Sequence, residues 1–200
     1  MPRARRSARI EVRPLATEDW PAFAELFGER GACGGCWCMA WRRPGREWEE
    51  HRGASNRRAM KGLVASGAQP GVLAFAGGEA VGWCSVAPRA EFHALETKRS
   101  LATDWDGSTW SVTCFFVRKD WRKQGVGEKL LAAAVAFARS RGARRIEGYP
   151  ALPTKGALPS AFAWTGLPGM FERAGFERLA KTPGKRPIYV IRGRFGDSGH

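Results

Sequence analysis

The chain of 200 residues has no long hydrophobic run and only two tyrosines. No window approaches the ~18 apolar residues that a membrane-spanning helix needs, and the arginine-rich first residues lack the apolar core of a secretory signal. Its five cysteines are an odd number without the pattern of an extracellular disulfide framework. These absences predict a cytoplasmic protein with reduced thiols and no membrane contact.

Two common phosphate-binding motifs are also missing. A Walker-type loop needs Gly-Lys-Ser/Thr after its second glycine, but Gly127 is followed by Glu128 and Lys129. A dinucleotide-binding fingerprint needs a third glycine and a later acidic residue for the ribose, and neither is present. An NTPase or a dehydrogenase is therefore disfavoured.

A hydrophobic content of 44% over this length is enough for one domain with a single core. We expect that domain at residues 10–192, between a basic arm at residues 1–9 and a loose tail at residues 193–200. Within it, residues 72–86 predict a hairpin with a glycine turn. Asn56 is a candidate N-cap for the helix that precedes this hairpin.

The most informative segment runs from residue 112 to residue 141. An apolar strand pattern at 112–117 is followed by Arg-Lys-Gln-Gly-Val-Gly at 122–127 and by an amphipathic helix pattern at 128–141. A helix start leaves N–H groups unpaired and carries partial positive charge, and Gly125 and Gly127 let a pyrophosphate approach the backbone. This order therefore predicts an anion site for a nucleotide-type phosphate.

Arg122, Gly125 and Gly127 give this segment the pattern Arg-x-x-Gly-x-Gly, which resembles the acetyl-CoA pyrophosphate loop of the GNAT superfamily of N-acetyltransferases. Residues 10–20 resemble the first strand and helix of that superfamily, and residues 170–176 its late helix-to-strand signature. The resemblance implies an α/β (α+β) domain. Its mixed central sheet would have about six to seven strands, flanking helices and a splayed parallel strand pair.

The resemblance further implies acetyl-CoA as the co-substrate and no metal. The pantetheine arm is expected to bond the backbone of the strand before the loop, and the loop is expected to hold the pyrophosphate. The co-substrate-binding residues implied in this way are Phe115, Phe116, Val117, Arg122, Lys123, Gln124, Gly125, Val126 and Gly127.

The acid and base of the reaction are less clear from the sequence. The usual general acid of the superfamily is a tyrosine, and its position here holds Phe171, which has no proton to donate. Tyr149, at the carboxyl end of a strand, is the preferred replacement, with Tyr189 as the other possibility. Glu147 would share a strand face with Tyr149 and is the candidate base. Glu91 and His93 are alternative bases, and Cys114 is an alternative nucleophile.

Nine tryptophans are many for this length. Several lie in or beside the segments that the resemblance implies frame the pocket for the acceptor, the substrate that receives the acetyl group. Aromatic walls suit flat, apolar or cationic ligands, and the residues considered for them are Trp37, Trp41, Trp48, Trp83 and Trp110. Cys33, Cys36 and Cys38 have the spacing of a zinc knuckle or a redox pair but lack a second half. Metal binding, a disulfide switch and simple loop packing all stay open for them.

The function implied is transfer of an acetyl group to a primary amine of a small molecule, by direct attack in a ternary complex. The net charge of +14 keeps alternatives open, since half of this excess lies at residues 118–145 and four arginines lie in the first nine residues. A protein amine or an aminoacyl-tRNA could be the acceptor. The fold could also serve a non-catalytic acyl-CoA sensor or a nucleic-acid-binding module, although nucleic acid is not favoured. A monomer or a homodimer is expected.

Overall fold

The computed structural model describes residues 9–152 and 164–193. It contains seven β-strands, whose bounds are Ile10–Pro14 (β1), Gly71–Ala76 (β2), Glu79–Pro88 (β3), Thr109–Val117 (β4), Arg145–Gly148 (β5), Glu177–Arg178 (β6) and Tyr189–Arg192 (β7). The α-helices of the described residues are Trp20–Phe27 (α1), Glu47–Glu50 (α2), Ala54–Ala65 (α3), His93–Thr97 (α4), Val126–Ser140 (α5) and Pro168–Arg173 (α6).

The strands form one mixed sheet in the order β1-β2-β3-β4-β5-β7-β6. Every neighbouring pair is antiparallel except β4 and β5, which are parallel because helix α5 crosses between them. This pair is joined only from Thr109 to Val112, after which β4 continues to Val117 paired with β3 but not with β5. The predicted mixed sheet with a splayed parallel pair is therefore confirmed.

A bulge in β4 changes which face its side chains occupy. Val86 of β3 lies opposite Val112, and Ser85 lies opposite Cys114, so Thr113 is an extra residue. Before the bulge, Trp110 and Val112 pack in the core beneath α5; after it, Phe115 does. Cys114 is consequently turned to the opposite face of the sheet, with Trp83 and the aromatic side chains of α1.

Each face of the sheet has its own apolar core. Helix α5 covers one face with the buried stripe Leu130, Leu131, Ala134, Val135 and Ala138, which the 3.6-residue period of its sequence predicts. The opposite face is covered by α1, α3 and the loop between α1 and α2, through Phe23, Phe27, Trp37 and Met60. The carboxyl ends of β4 and β5 open between these two layers.

Phe171 of α6 packs where the second strand of the parallel pair ends. Its ring is fully buried against Phe115, Phe176 and Tyr189. A Cβ at residue 148 would lie 2.1 Å from Cε1 of Phe171, so only glycine allows this ring so close to β5. Phe171, at the position expected to hold the general-acid tyrosine of the superfamily, is thus part of the core.

Asn56 does not cap a helix, contrary to the sequence-based expectation. Helix α3 begins two residues earlier at Ala54, and the buried Asn56 side chain donates to the carbonyl oxygens of Gly35 and Trp48 instead. Asn56 therefore ties the glycine-rich loop to α3. The basic arm except Arg9, the tail except Gly193, and residues 153–163 of the long proline- and glycine-rich segment lie outside the described residues.

Candidate active site

The loop before α5 has the geometry of an anion site. Gly125 precedes the helix in the left-handed conformation, with φ 74° and ψ 3°, a region that costs most other residues energy. The first turn of an α-helix leaves N–H groups without helical acceptors and carries partial positive charge. Gly127 lies in that turn, and its missing side chain keeps the approach to those groups open.

A cleft of about 670 Å³ lies directly in front of this helix start. Eight of the nine residues implied as co-substrate contacts line it: Phe115, Phe116, Val117, Arg122, Lys123, Gly125, Val126 and Gly127. The ninth, Gln124, turns its side-chain amide to the carbonyl oxygen of Asp120. The cationic side chains in this cleft are Arg122, Lys123 and Arg173, against Glu128 alone among the described acidic residues.

The open edge of β4 forms the inner wall of the same cleft. The backbone N–H and C=O groups of Phe116 and Arg118 point toward β3. Because these groups alternate along a strand, those of Phe115 and Val117 point the other way, toward the gap left by β5. The N–H of Phe115 donates to the carbonyl oxygen of Trp164 at 2.6 Å. The carbonyl oxygen of Val117 accepts from Nε of Arg122 at 3.0 Å.

A second cavity, of about 710 Å³, adjoins the first. The two share Ala32, Cys33, Phe115, Phe116 and Trp164 as a common wall. Trp41, Trp48 and Trp164 supply aromatic surface to the second cavity, and the Trp41 and Trp164 rings meet edge to face at 6.0 Å. A ligand in the first cleft and a ligand in the second would therefore lie on either side of these shared residues.

The second cavity carries more positive than negative side chains. Its cationic lining residues are Arg46, Lys98, Lys185 and Arg186, whereas Glu49 is its one carboxylate among the described residues. Arg46 and Glu49 form an ion pair at 3.2 Å. Lys98 places Nζ 5.9 Å from the centre of the Trp41 ring. The remaining charge on this wall is thus cationic.

A sequence model of the acetyltransferase (GNAT) family matches residues 35–158, which is more than half of the chain. The chain belongs to the GNAT acetyltransferase family. As a member, it is an acyl-CoA-dependent N-acetyltransferase, with transfer of an acyl group from the thioester to an amine as its activity. No curated protein sequence matches it.

Solved GNAT structures share its fold at low sequence identity. The PaiA N-acetyltransferase of Thermoplasma acidophilum, in complex with coenzyme A, is 14% identical, with 92% of this chain and 99% of that chain covered and a TM-score of 0.53. An N-acetyltransferase from Staphylococcus aureus Mu50 is 11% identical, with the same coverage and a TM-score of 0.54. The GNAT domain of S. lividans PAT is 16% identical, covers 94% and 93%, and has a TM-score of 0.53.

This GNAT chain brings Tyr149 and Glu147 together, but inside the protein. Both are fully buried, and the Tyr149 hydroxyl donates to Oε2 of Glu147 at 2.6 Å and lies 3.0 Å from Oγ of Ser111. Burial, and then the Glu147 charge, raise the pKa of the Tyr149 phenol well above its usual range. The residues lining the second cavity do not include this pair. Tyr149 contacts that lining through Trp41, on which its ring stacks with the centroids 5.6 Å apart, and through its carbonyl oxygen, which accepts from Arg186.

Glu147 is held by several partners at once. Its carboxylate contacts Nε of Arg89 at 3.2 Å and Nη2 of Arg145 at 2.7 Å, and it accepts from Oγ1 of Thr103 at 2.8 Å. Arg89 is itself 1% exposed and pairs with Glu96 at 2.5 Å. A buried charge is tolerated only when it is paired in this way. The assignment of Glu147 as base and Tyr149 as acid stays a prediction.

The alternative acid and base candidates lie away from the shared wall. Glu91 is exposed and pairs with Nη1 of Arg42 at 2.6 Å. His93 begins α4 and does not line the cavity. The Tyr189 hydroxyl donates to Oε1 of Glu172 at 2.7 Å, and burial raises its pKa. None of these side chains meets both cavities.

The five tryptophans considered for the acceptor pocket separate into different environments. Trp41 and Trp48 line the second cavity. Trp37 stacks on Phe27 and does not line it, and Trp83 is fully buried behind Cys38, to whose Sγ its Nε1 donates at 3.0 Å. Trp110 lies on the α5 face, 5.7 Å from the Phe137 ring, because the β4 bulge separates its face from that of Cys114.

Four of the five cysteines of the GNAT domain gather at the second cavity. Cys33, Cys36, Cys38 and Cys114 line it, and Sγ of Cys38 lies 3.4 Å from Sγ of Cys114. Cys38 is held there by a backbone with φ 58°, an uncommon value for a residue other than glycine. The hydrogen bond between the Cys114 and Cys38 thiols, and then burial, raise the pKa of Cys114 well above its usual value. This disfavours a Cys114 thiolate nucleophile.

The site residues that the sequence-based prediction missed include Glu49, Trp164 and Arg186. Glu49 lies in a short helix of four residues, and Trp164 and Arg186 lie in proline- and glycine-rich connections without a periodic pattern. No motif marks them. Within the described part of the chain, every helix is too short or too polar to cross a membrane, and no group of three or more His, Cys, Asp or Glu could hold a metal ion.

Proposed function

We propose that this GNAT enzyme transfers the acetyl group of acetyl-CoA to a primary amine of a small molecule, by direct attack in a ternary complex. The observation that carries the proposal is the shared wall of the two cavities, formed by Ala32, Cys33, Phe115, Phe116 and Trp164. A thioester leaving the first cavity and an amine held in the second would meet there. Direct transfer then needs no covalent enzyme intermediate.

The first cavity suits the coenzyme. Its phosphate oxygens would accept hydrogen bonds from the N–H groups at the start of α5, since phosphate binds well at helix N-termini. They would also form ion pairs with Arg122, Lys123 and Arg173. Arg173 now pairs with Glu128, at 2.6 Å between Nη2 and Oε1, and both side chains are more than half exposed. An exposed ion pair is weak, so a phosphate can replace Glu128 as the partner of Arg173 at little cost.

The pantetheine arm would then follow the open edge of β4. Val117 offers its backbone N–H toward the gap, by the alternation of the strand. The N–H of Phe115 already has the carbonyl oxygen of Trp164 as its acceptor. We therefore expect the arm to bond Val117 and to pass Trp164 on its way to the second cavity.

The second cavity suits a small acceptor. Its volume of about 710 Å³ falls within the range of small-molecule sites, roughly 300–1,000 Å³. Tryptophan rings attract an amine in its cationic form through cation–π contacts. The amine must lose a proton before it attacks, because an alkylammonium with a pKa near 10 has no free electron pair. Glu147 as the base and Tyr149 as the donor to the departing thiolate remain the roles proposed for that step.

Thiol release in the presence of acetyl-CoA and candidate acceptors tests the function. The acceptors are a library of primary amines, a peptide with a free N-terminus and lysine, and aminoacyl-tRNA. Release with small amines supports the proposal, and release only with the peptide or the tRNA moves the acceptor to a macromolecule. Binding of tRNA would also weaken steeply with salt. Tight binding of acetyl-CoA with no release from any acceptor would instead indicate an acyl-CoA sensor.

A further inference from the structure

We infer that the acceptor amine also carries a carboxylate and that Arg186 binds this carboxylate. The inference rests on the proposed function, because it concerns the second ligand of the same reaction. It starts from the charge on the acceptor cavity, where the four cationic side chains face a single described carboxylate, Glu49. A cavity made only for an alkylammonium would be expected to have the opposite balance.

Among the cationic side chains of this cavity, Arg186 is the one that neutral protein oxygens hold in place. It is half-buried, and burial lowers the pKa of its guanidinium. Nη1 donates to the carbonyl oxygen of Tyr149 at 3.0 Å and to Oγ1 of Thr165 at 3.1 Å. These bonds hold the guanidinium plane. Its Nε and Nη2 have no partner among the described residues, and no described carboxylate forms an ion pair with it.

A guanidinium in this state favours a planar anion. Partial removal of Arg186 from water costs free energy that the neutral oxygens of Tyr149 and Thr165 offset only in part. The parallel Nε–H and Nη2–H groups match the two oxygens of a carboxylate, and charge-assisted bonds of this kind are about twice as strong as neutral ones. A ligand carboxylate would therefore supply the acceptors for Nε and Nη2 that the described residues do not supply.

The coenzyme phosphates do not account for this charge. Arg122, Lys123 and Arg173 line the first cleft and not the second, whereas Lys98, Lys185 and Arg186 line the second and not the first. The two cationic groups are separated by the shared wall with Phe115 and Trp164. One anion site per cavity follows, the first for the pyrophosphate and the second for the acceptor.

The other end of such an acceptor also finds partners. Trp41, Trp48 and Trp164 offer ring faces for the ammonium before it is deprotonated, and Glu49 offers a carboxylate. Glu49 is paired with Arg46, and this pair has no net charge. It therefore adds no net negative charge that would attract the second ammonium group of a simple diamine. An ω-amino acid, with an amine at one end and a carboxylate at the other, matches both parts of the cavity.

Matched pairs of acceptors test the inference. We would measure kcat/KM by thiol release for β-alanine, 4-aminobutyrate and 5-aminovalerate, and for their primary amides, which have the same size and no charge. The wild-type enzyme should prefer the acids by about 10- to 100-fold, the range expected for a bidentate bond to a charged group. Phosphoethanolamine is the third arm, because a phosphate could use the same guanidinium.

Arg186→Gln should bring the acid-to-amide ratio of kcat/KM close to 1, and Arg186→Lys should restore part of the preference. Lys181→Gln removes an exposed charge from the same connection, outside the cavity, and should leave the ratio of acid to amide unchanged. Thermal unfolding and acetyl-CoA affinity show whether each variant is folded. If Arg186→Gln does not fold, Arg186→Lys is compared instead, and an acid-to-amide ratio equal to that of the wild type would remove Arg186 from carboxylate binding.

Equal kcat/KM for acids and amides in the wild type, or a preference that survives Arg186→Gln, would overturn the inference while leaving the proposed function standing. A higher kcat/KM for phosphoethanolamine than for any acid would replace carboxylate by phosphate and also overturn it. If acetyl-CoA binds and no amine of either series releases thiol, although other primary amines of the library do, the inference fails and the proposed function stands. If no primary amine of the library releases thiol, the proposed function fails as well.

Discussion

The backbone N–H of Phe115 and the carbonyl oxygen of Trp164 lie 2.6 Å apart, across the gap where β4 and β5 separate. This bond holds Trp164 against the strand that is expected to bind the pantetheine arm. Because Trp164 lines both cavities, its ring forms the boundary between coenzyme and acceptor. The backbone bond does not depend on the side chain, so the ring can be changed without removing the bond.

Trp164→Ala should therefore weaken acceptor binding more than coenzyme binding. Loss of the edge-to-face contact with Trp41 removes about 0.5–1.5 kcal/mol of aromatic interaction. We expect KM for the amine to rise about 2- to 10-fold, with the dissociation constant of acetyl-CoA within twofold of the wild type. Steady-state kinetics and calorimetry give the two values. Trp164→Phe, which keeps an aromatic ring, should stay close to the wild type; an equal loss in both variants would argue against this role.

Gly148→Ala should destabilise the fold by about 1–3 kcal/mol, the usual cost of overpacking a core. The added methyl group would lie 2.1 Å from Cε1 of Phe171, and residue 148 has no positive φ that alanine would find strained. Chemical denaturation measures the change. In the double variant Gly148→Ala/Phe171→Leu the loss should be smaller than the sum of the single losses, since the smaller side chain relieves the contact. Strict additivity would contradict the explanation.

Tyr149→Phe tests the assignment of the general acid. If Tyr149 protonates the departing thiolate, kcat should fall about 100-fold or more while the affinity for acetyl-CoA stays unchanged. The variant also loses the hydrogen bond to the buried Glu147, so a stability loss of about 1–3 kcal/mol is expected and is measured first. A kcat within a few-fold of the wild type would remove Tyr149 from the chemistry and leave it as the ring that supports Trp41.

The thiols should differ in reactivity at pH 8. Burial raises the pKa of Cys36 to about 12 and also raises the pKa of Cys84, and the hydrogen bond with Cys38 raises the pKa of Cys114. These three should react slowly with iodoacetamide, whereas the exposed Cys33 should be alkylated first. Peptide mass spectrometry over time gives the order, and all five should react in denaturant. Rapid alkylation of Cys114 in the folded protein would contradict it.

The same shifts predict a loss of stability at alkaline pH. The folded state holds these protons more tightly than the unfolded state, so the stabilisation is complete below the ordinary thiol pKa of 9.0. It should decline as the pH rises from there through about 12. Denaturation at several pH values measures the decline, and Cys36→Ser should make it shallower.

Much of the fold follows from local sequence patterns. The period of 3.6 in α5, the glycine turn between β2 and β3, and the strand-loop-helix order at β4 and α5 are all visible in the sequence and all confirmed. Eight of the nine implied co-substrate contacts line one cleft because they lie in two short segments that are close in the chain, one at a strand end and one at a helix start.

The acceptor cavity could not be predicted in the same way, since its walls come from distant segments. The extra residue Thr113 reverses the alternation of β4, so counting from Trp110 places Cys114 and Phe116 on the wrong face. Arg186 is 37 residues from its partner Tyr149, and Trp164 is 49 residues from Phe115. Nothing in the local composition signals these contacts. Strand alternation did place Glu147 and Tyr149 together but could not show that the pair is buried.

Calorimetric titration with acetyl-CoA of the wild type and of Gly127→Asp, followed by thiol release with an amine, tests the central claim most directly. The Asp side chain puts negative charge at the start of α5, and Gly107→Asp adds the same charge at an exposed position with open space. We predict tight binding and amine-dependent thiol release for the wild type and Gly107→Asp, and loss of both for a folded Gly127→Asp. Undiminished acetyl-CoA affinity in Gly127→Asp would contradict the assignment of this helix start as the phosphate site.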